Sequence, residues 1–454
     1  MKSYSEFLKV KEQQRKPAGF EPLWLSPKLF DFQRVLTEWA VRTGRGALLC
    51  DCGLGKSAME CIFGENVVRK TSGRVLLLTP LAVGPQMIRE AEKFGVEAHR
   101  IKGKKLWPGI NVLNYQRLHH LDPADFDGII CDEVGCCKDF DSQTRKFVSA
   151  FAHRLPYRLL ATATPAPNDY VELGSSSDVL GVVTKARMLG TFFSPLMGPQ
   201  NTGSKWELKG HARRRFWQWV AGWARACRKP SDLGFPDGAF QLPPLRVKHH
   251  TVPSKANGGF FPTLARTLNQ QRRERRDTLQ ARCELAASLV PEDRPCVLFC
   301  HLNPEGDLLE KLIPDAVQVA GRHTDEEKEE RLDAFSQGQV RVLVSKPVLA
   351  GWGLNWQHCS DVIYFPSWSM ESYYQCIRRC WRFGQEREVT VHVVSSEAER
   401  RVVDGLLLKE RQMSAMYDGI IASMKEVLRV TGGNGFLESE EVEVPAWLGN
   451  GRRR

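Results

Sequence analysis

No uninterrupted apolar run in the 454 residues approaches the roughly 18 to 20 that a bilayer-crossing helix needs. The opening stretch MKSYSEFLKVKEQQRK is polar rather than signal-like, so the expected working compartment is the cytoplasm. CxxC pairs are also lacking. The 13 cysteines are an odd, scattered set, and several (Cys131, Cys296, Cys300) sit inside apolar runs. That pattern argues against a disulfide framework and suits buried thiols in a reducing cell. Cys50 with Cys52, the adjacent Cys136 and Cys137, and the stretch CVLFCH do not have zinc-loop spacing, so the expectation is small core residues and no metal held by cysteine.

Charge is unevenly placed. The chain has 64 Lys/Arg against 53 Asp/Glu, a net charge of +11, and residues 201–290 alone hold 17 Lys/Arg against 6 Asp/Glu. The whole excess can be assigned to that segment. It fits a polyanionic partner, or a solvated helix face.

Length suggests roughly two or three domains. Two blocks of alternating short apolar runs and longer helical stretches flank the basic segment. The first contains GALLCD, RVLLLTP, INVLNY, GIICDE and RLLATAT; the second RPCVLFCH, AVQVAG, VRVLVS, DVIYF and VTVHVV, with TDEEKEERLDAF and SMESYYQCIRRCWR between them. Strands alternating with helices predict parallel sheets with crossover helices, and ligands of such sheets bind beyond the carboxyl ends of the strands.

Two strand ends carry the chemistry. In ALLCDCGLGKSAMEC a strand runs into a loop with Gly53, Leu54 and Gly55, and Lys56 and Ser57 then open a helix. Such a loop wraps phosphates with backbone N–H groups, the lysine reaches the outer phosphates and the serine hydroxyl meets magnesium. Cys50 stands where the strict pattern has glycine. In GIICDEVGCC another apolar strand ends in Asp132 and Glu133, two acids that need a cation or an exit to solvent. Together the stretches predict a site for ATP and Mg2+: Ser57 and Asp132 on the ion, and Glu133 deprotonating the attacking water. The alternative is an acidic strand end facing solvent or capping the next helix.

These residues resemble superfamily 2 helicases and translocases, DEAD/DEAH-box-like enzymes, and specifically their Swi/Snf-like branch and its compact phage-encoded members. The resemblance spans nearly the whole chain outside the basic segment and the tail. It implies two tandem RecA-like lobes of α/β class, with a basic, mostly helical insertion between them. LFDFQRVLTEWA is similar to the adenine-recognising region, with Gln33 reading the base. LLLTPLAVGPQ (Thr79, Pro80) and NVLNYQRL (Tyr115) resemble nucleic-acid-contacting segments. LLATATPAPND resembles the coupling motif (Thr162, Ala163, Thr164). AGWGLNWQ (Gly353, Asn355) and QCIRRCWRFGQ (Gln375, Arg379, Arg382) resemble the last two motifs. Val134-Gly135 and Lys346-Pro347 depart from the branch's usual residues.

Within YYQCIRRCWRFGQ, helical spacing puts Arg379 and Arg382 on one face and Arg378 elsewhere. By resemblance Arg382 is the transition-state arginine and Arg379 its companion. In the basic segment Arg213, Arg214 and Arg215 are expected at phosphates. Trp217, Trp219 and Trp223 suit base stacking, or, with Phe216 and Val220 at helical core spacing, the packing of a helical subdomain. QQRRERRDTLQAR reads as a basic exposed helix leading into the second lobe. The expected division is 1–195 for the ATP-binding lobe, 196–285 for the insertion and linker, 286–428 for the second lobe and 429–454 for a loosely ordered tail. The function implied is an ATP-dependent DNA helicase or translocase, with an RNA helicase or a nucleic-acid-clamping ATPase switch as alternatives.

Overall fold

A computed structural model describes residues 18–80, 83–103, 105–133, 135, 143–196, 205–254, 268–350 and 355–430. The chain divides into two compact units, Met1–Pro236 with Ser414–Arg454, and Asp237–Met413.

The first unit is built on seven strands: β1 (Arg45–Cys50), β2 (Arg74–Thr79), β3 (Ala98–Arg100), β4 (Gly109–Asn114), β5 (Gly128–Asp132), β6 (Tyr157–Ala161) and, after the antiparallel hairpin of β7 (Phe193–Leu196) and β8 (Lys205–Leu208), β9 (Ala224–Cys227). Their order is β3-β4-β2-β5-β6-β1-β9, and every pairing in this sheet is parallel. Ala47 to Cys50, Val75 to Leu78 and Ile129 to Cys131 are buried. That is why these strands read as apolar runs rather than as alternations. Parallel pairing brings the carboxyl ends of β4, β2, β5, β6 and β1 to one edge in that order.

The second unit repeats the design with β10 (Leu245–Val252), β11 (Cys296–Phe299), β12 (Ala316–Val319), β13 (Val342–Ser345), β14 (Asp361–Tyr364) and β15 (Val389–Ser396), again all parallel, in the order β10-β15-β14-β11-β13-β12. Its core joins Cys296, Leu298 and Cys300 to Val342, Val344, Ile363 and Val394. TDEEKEERLDAF is the helix Asp325–Ser336. Thr324 caps it by accepting from the Glu327 N–H at 3.2 Å, and Glu327 accepts in return from the Thr324 N–H at 2.7 Å, a reciprocal pair that fixes where the helix starts. The expected α/β class with two parallel-sheet lobes is therefore present.

The basic segment differs from the expected insertion. It supplies β9, which pairs with β1 in the register Cys50↔Cys227, so its first part belongs to the first unit. Phe216, Trp217 and Trp223 are buried, with Phe216 packed edge-on against Phe192 and Phe193, while Arg213, Arg214 and Arg215 are exposed. Core packing, not base stacking, occupies those aromatics. The expected exposed basic helix is two helices, Leu268–Asp277 and Leu279–Ser288, and two of its arginines are structural. Arg282 and Glu305 form a fully buried 2.8 Å pair, and Arg275 bonds buried Glu399 at 2.7 Å. Among the described residues no helix is long and apolar enough to cross a membrane. The expected tail beyond residue 430 lies outside the described residues.

Candidate functional site

A glycine loop follows β1. Gly53 and Gly55 have φ of 86° and 78°, the left-handed region that glycine enters without steric cost. At Gly55 a side chain is doubly excluded, because a Cβ there would lie 2.3 Å from Gln33 Nε2. Gly55 also precedes the helix Lys56–Thr71, whose first N–H groups receive no side-chain cap. An uncapped helix start behind a glycine loop is an anion site. Buried Gln33 has both ends of its amide engaged: Nε2 donates to the Leu54 carbonyl at 2.9 Å, and Oε1 accepts from the Phe30 N–H at 3.1 Å. The residue expected to read a base thus braces the loop, with half-exposed Phe30 beside it.

Lys56 Nζ donates to the carbonyls of Cys50 at 3.0 Å and Asp51 at 3.4 Å, and lies 3.9 Å from Glu133 Oε1. Burial lowers the pKa of this ammonium, but Cys52, Glu133, Cys50 and Asp132 outweigh it, and the group is held charged above its ordinary value. Asp132 ends β5 and is buried. Burial first, then the charge of Glu133, raise its carboxyl above the usual range. Glu133 has a φ of 49°, a left-handed conformation that costs a non-glycine residue about 1–2 kcal/mol. Its Oε2 accepts at 3.0 Å from the Thr162 hydroxyl, which in turn accepts from the Thr164 N–H at 3.0 Å. Ala163 is buried between these threonines, and its carbonyl accepts from Tyr417. The loop, the acidic pair and the threonine motif are thus brought together in one unit by the adjacent ends of β5, β6 and β1.

Glu60 was not anticipated. It lies one helical turn beyond Lys56 and is fully buried, with its carboxyl beside that of Asp132. Burial and the neighbouring Asp132 push its carboxyl well above the usual range. Among the described residues no group of three or more His, Cys, Asp or Glu side chains is arranged to hold a metal ion, so Glu60 is not assigned to one. Ser57, half-buried on the first turn, and Asp132 are the residues that would hold magnesium.

At the other side of β5 a polar pocket lies over the ends of β2 and β4. Thr79, Gly84, Arg100, Ile101, Asn114 and Arg117 line it. Gly84 opens the helix Gly84–Lys93, which has no side-chain cap. Arg100, Arg117, Thr79 and Asn114 give the pocket basic and polar walls. Thr79 donates its hydroxyl at 3.1 Å to the carbonyl of the next residue, Pro80. Arg100 was not anticipated, since a single arginine at a strand end carries no motif, and in NVLNYQRL only Tyr115 was singled out, not Arg117. Tyr115 is corrected: its ring is buried and its hydroxyl donates at 2.7 Å to the Asp132 carbonyl, so it does not present a surface to nucleic acid.

In the second unit the helix Met370–Cys380 follows β14. Arg379 is buried and donates to Gln375 Oε1 at 2.9 Å. Arg378 lies over the rings of Tyr374 at 5.1 Å and Trp381 at 4.3 Å. The shared helical face of Arg379 and Arg382 is not found, because the helix stops at Cys380. Trp381 Nε1 donates to the Pro243 carbonyl at 2.7 Å and Phe383 stacks on Phe240 at 4.6 Å, which draws the chain off the helical path. Arg382, partly exposed, sits on the turn that follows. Asn355 is exposed; Gly353 lies outside the described residues.

Residues 281–384, within the second unit, match the family described as helicase conserved C-terminal domain. No curated protein matches the chain. Among solved structures, the Sulfolobus solfataricus SWI2/SNF2 ATPase core in complex with dsDNA is similar, at 17% identity and a TM-score of 0.41, over 92% of this chain and 98% of that one.

Proposed function

We propose that the chain is a nucleic-acid-dependent ATPase of the superfamily 2 helicase and translocase type, acting on DNA. The observation that carries this reading is the run from Lys56 through Glu133 to Thr162 at three neighbouring strand ends, beside a loop shaped for phosphates. The match of 281–384 to a helicase C-terminal domain supports it from the second unit.

The chemistry follows from these residues. Loop N–H groups and the helix start bind the phosphates of ATP, and the Lys56 ammonium, now on two backbone carbonyls, is within its own side-chain reach of them. Magnesium, when bound at Ser57 and Asp132, supplies neutralising charge to those phosphates. Glu133 accepts the proton of the attacking water, its carboxylate oriented by Thr162. Gln33 keeps the loop shaped, with its amide and Phe30 nearest to an incoming base. Arg379 and Arg382 are assigned to stabilising transition-state charge, Gln375 to holding Arg379, Asn355 and Gly353 to the nucleotide, and Arg213, Arg214 and Arg215 to DNA phosphates.

The test is ATP turnover with single-stranded DNA, duplex DNA, forked DNA and RNA. DNA is expected to stimulate most. Stimulation by RNA alone would replace the DNA assignment, and no stimulation by any of the four would remove the reading.

A further inference from the structure

Asp132 holds the middle of the strand-end row, with the nucleotide loop on one side and the arginine-rimmed pocket on the other. One side chain bridges from the pocket to the acid. Tyr115 follows Asn114 directly, and Asn114 both lines the pocket and accepts the Arg117 N–H at 3.2 Å on its side chain, fixing the turn Tyr115–His120. From the start of that turn the buried Tyr115 hydroxyl reaches across β2 to the Asp132 carbonyl at 2.7 Å. The next residue is Glu133, in its left-handed conformation.

We infer that Tyr115 is a positioning residue that links occupation of the Thr79–Arg100–Asn114–Arg117 pocket by a nucleic-acid phosphate to the placement of Asp132 and Glu133; the inference rests on the function proposed above. A phosphate drawn to Arg117 acts on the turn that Asn114 caps, and the turn carries Tyr115. Its hydroxyl is fixed to the peptide between the metal-site acid and the general base. Glu133 is in a backbone region that a non-glycine residue holds only when its surroundings impose it, so a small shift of the Asp132 carbonyl alters where its carboxylate points. Coupling of this kind needs an element that both sites bias, and the turn Tyr115–His120 meets that condition: Asn114 and Arg117 of the pocket flank its first residues, and Tyr115 between them bonds Asp132.

The test compares Tyr115→Phe with Arg117→Ala in the full chain, reading ATP turnover across a titration of single-stranded and duplex DNA and DNA affinity by fluorescence anisotropy. Tyr115→Phe is expected to keep wild-type DNA affinity and to lower the ratio of saturated to DNA-free turnover by about fivefold, the factor that one buried hydrogen bond of ordinary strength carries. Arg117→Ala is expected to show the reverse, weaker DNA binding with the ratio restored at saturation. A merely structural Tyr115 would change both turnovers equally, and an unchanged ratio in Tyr115→Phe overturns the link. Normal DNA affinity in Arg117→Ala overturns it too, even if Tyr115→Phe does not fold. If no polynucleotide stimulates the wild type, the proposed function fails and the link falls with it; a stimulated wild type with an unchanged Tyr115→Phe ratio sinks the link alone.

Discussion

The hydroxyl of Tyr417 donates a 2.8 Å hydrogen bond to the carbonyl of Ala163, between Thr162, which bonds Glu133, and Thr164, whose N–H bonds Thr162. Residues from the last described helix therefore form part of the first unit's chemical centre. Arg228 pairs with Asp418 and Arg214 with Glu426, and Gly419 packs so closely on Trp217 that a Cβ would lie 2.7 Å from its indole nitrogen. Tyr417→Phe leaves a buried carbonyl without its donor, which costs about 1–3 kcal/mol. A lowered thermal midpoint is expected, with turnover reduced as Thr162 loses its fixed frame; an unchanged midpoint would show that water replaces the hydroxyl.

Thr162 is expected to matter chiefly through Glu133, although its hydroxyl also accepts from the Thr164 N–H. Thr162→Val keeps the shape but removes a hydrogen bond to a carboxylate, a contact of about 1.5–3 kcal/mol. Turnover should fall about tenfold or more with ATP affinity little changed, measured as kcat against the Kd of a fluorescent ATP analogue. A loss confined to affinity would place Thr162 in nucleotide binding instead.

Much of this centre was legible in the sequence because it is written in short contiguous stretches. Gly53, Gly55 and Lys56 must be neighbours for the loop to turn into a helix, and Asp132 and Glu133 must end a strand. What could not be read joins distant positions. Tyr417 and Ala163 are 254 residues apart, and nothing local marks their contact. Tyr115 sits in a nucleic-acid-type stretch, and only the parallel order β4-β2-β5 shows that its hydroxyl reaches Asp132. Arg382 was misplaced for another reason: periodicity assumes that a helix continues, and the anchoring of Trp381 and Phe383 ends it. β3, β7, β8 and β9 escaped notice because each is only three or four residues long, and β10 because its residues, such as RVKHHT, are largely exposed and carry no apolar run.

Glu60 predicts a pH dependence. Its folded pKa lies above the ordinary value, so from about pH 4.3 upward the native state binds more protons than the unfolded chain and stability falls as pH rises. Glu60→Gln, similar in shape and without the proton, should flatten that decline when thermal midpoints are measured in a chelating buffer between about pH 5 and pH 8. Parallel curves for the two proteins would mean that Glu60 does not titrate differently on folding.

The exposed arginines should be unequal. Arg214 is paired with Glu426, so Arg213→Ala with Arg215→Ala should account for most of the loss in DNA affinity. The salt dependence should become shallower by about 0.9 for each duplex phosphate contact removed. An unchanged slope would mark a solvated face, and DNA binding would then rest on the pocket of Arg100 and Arg117.

ATP turnover and ATP binding, measured together on the wild type and Glu133→Gln with and without forked DNA, test the central claim most directly. The expected result is wild-type turnover that rises with DNA, and a Glu133→Gln protein that binds ATP normally while turning it over about 10²–10⁴ times more slowly. A Glu133→Gln protein that hydrolyses ATP at the wild-type rate would contradict the account, as would a wild type that binds no ATP.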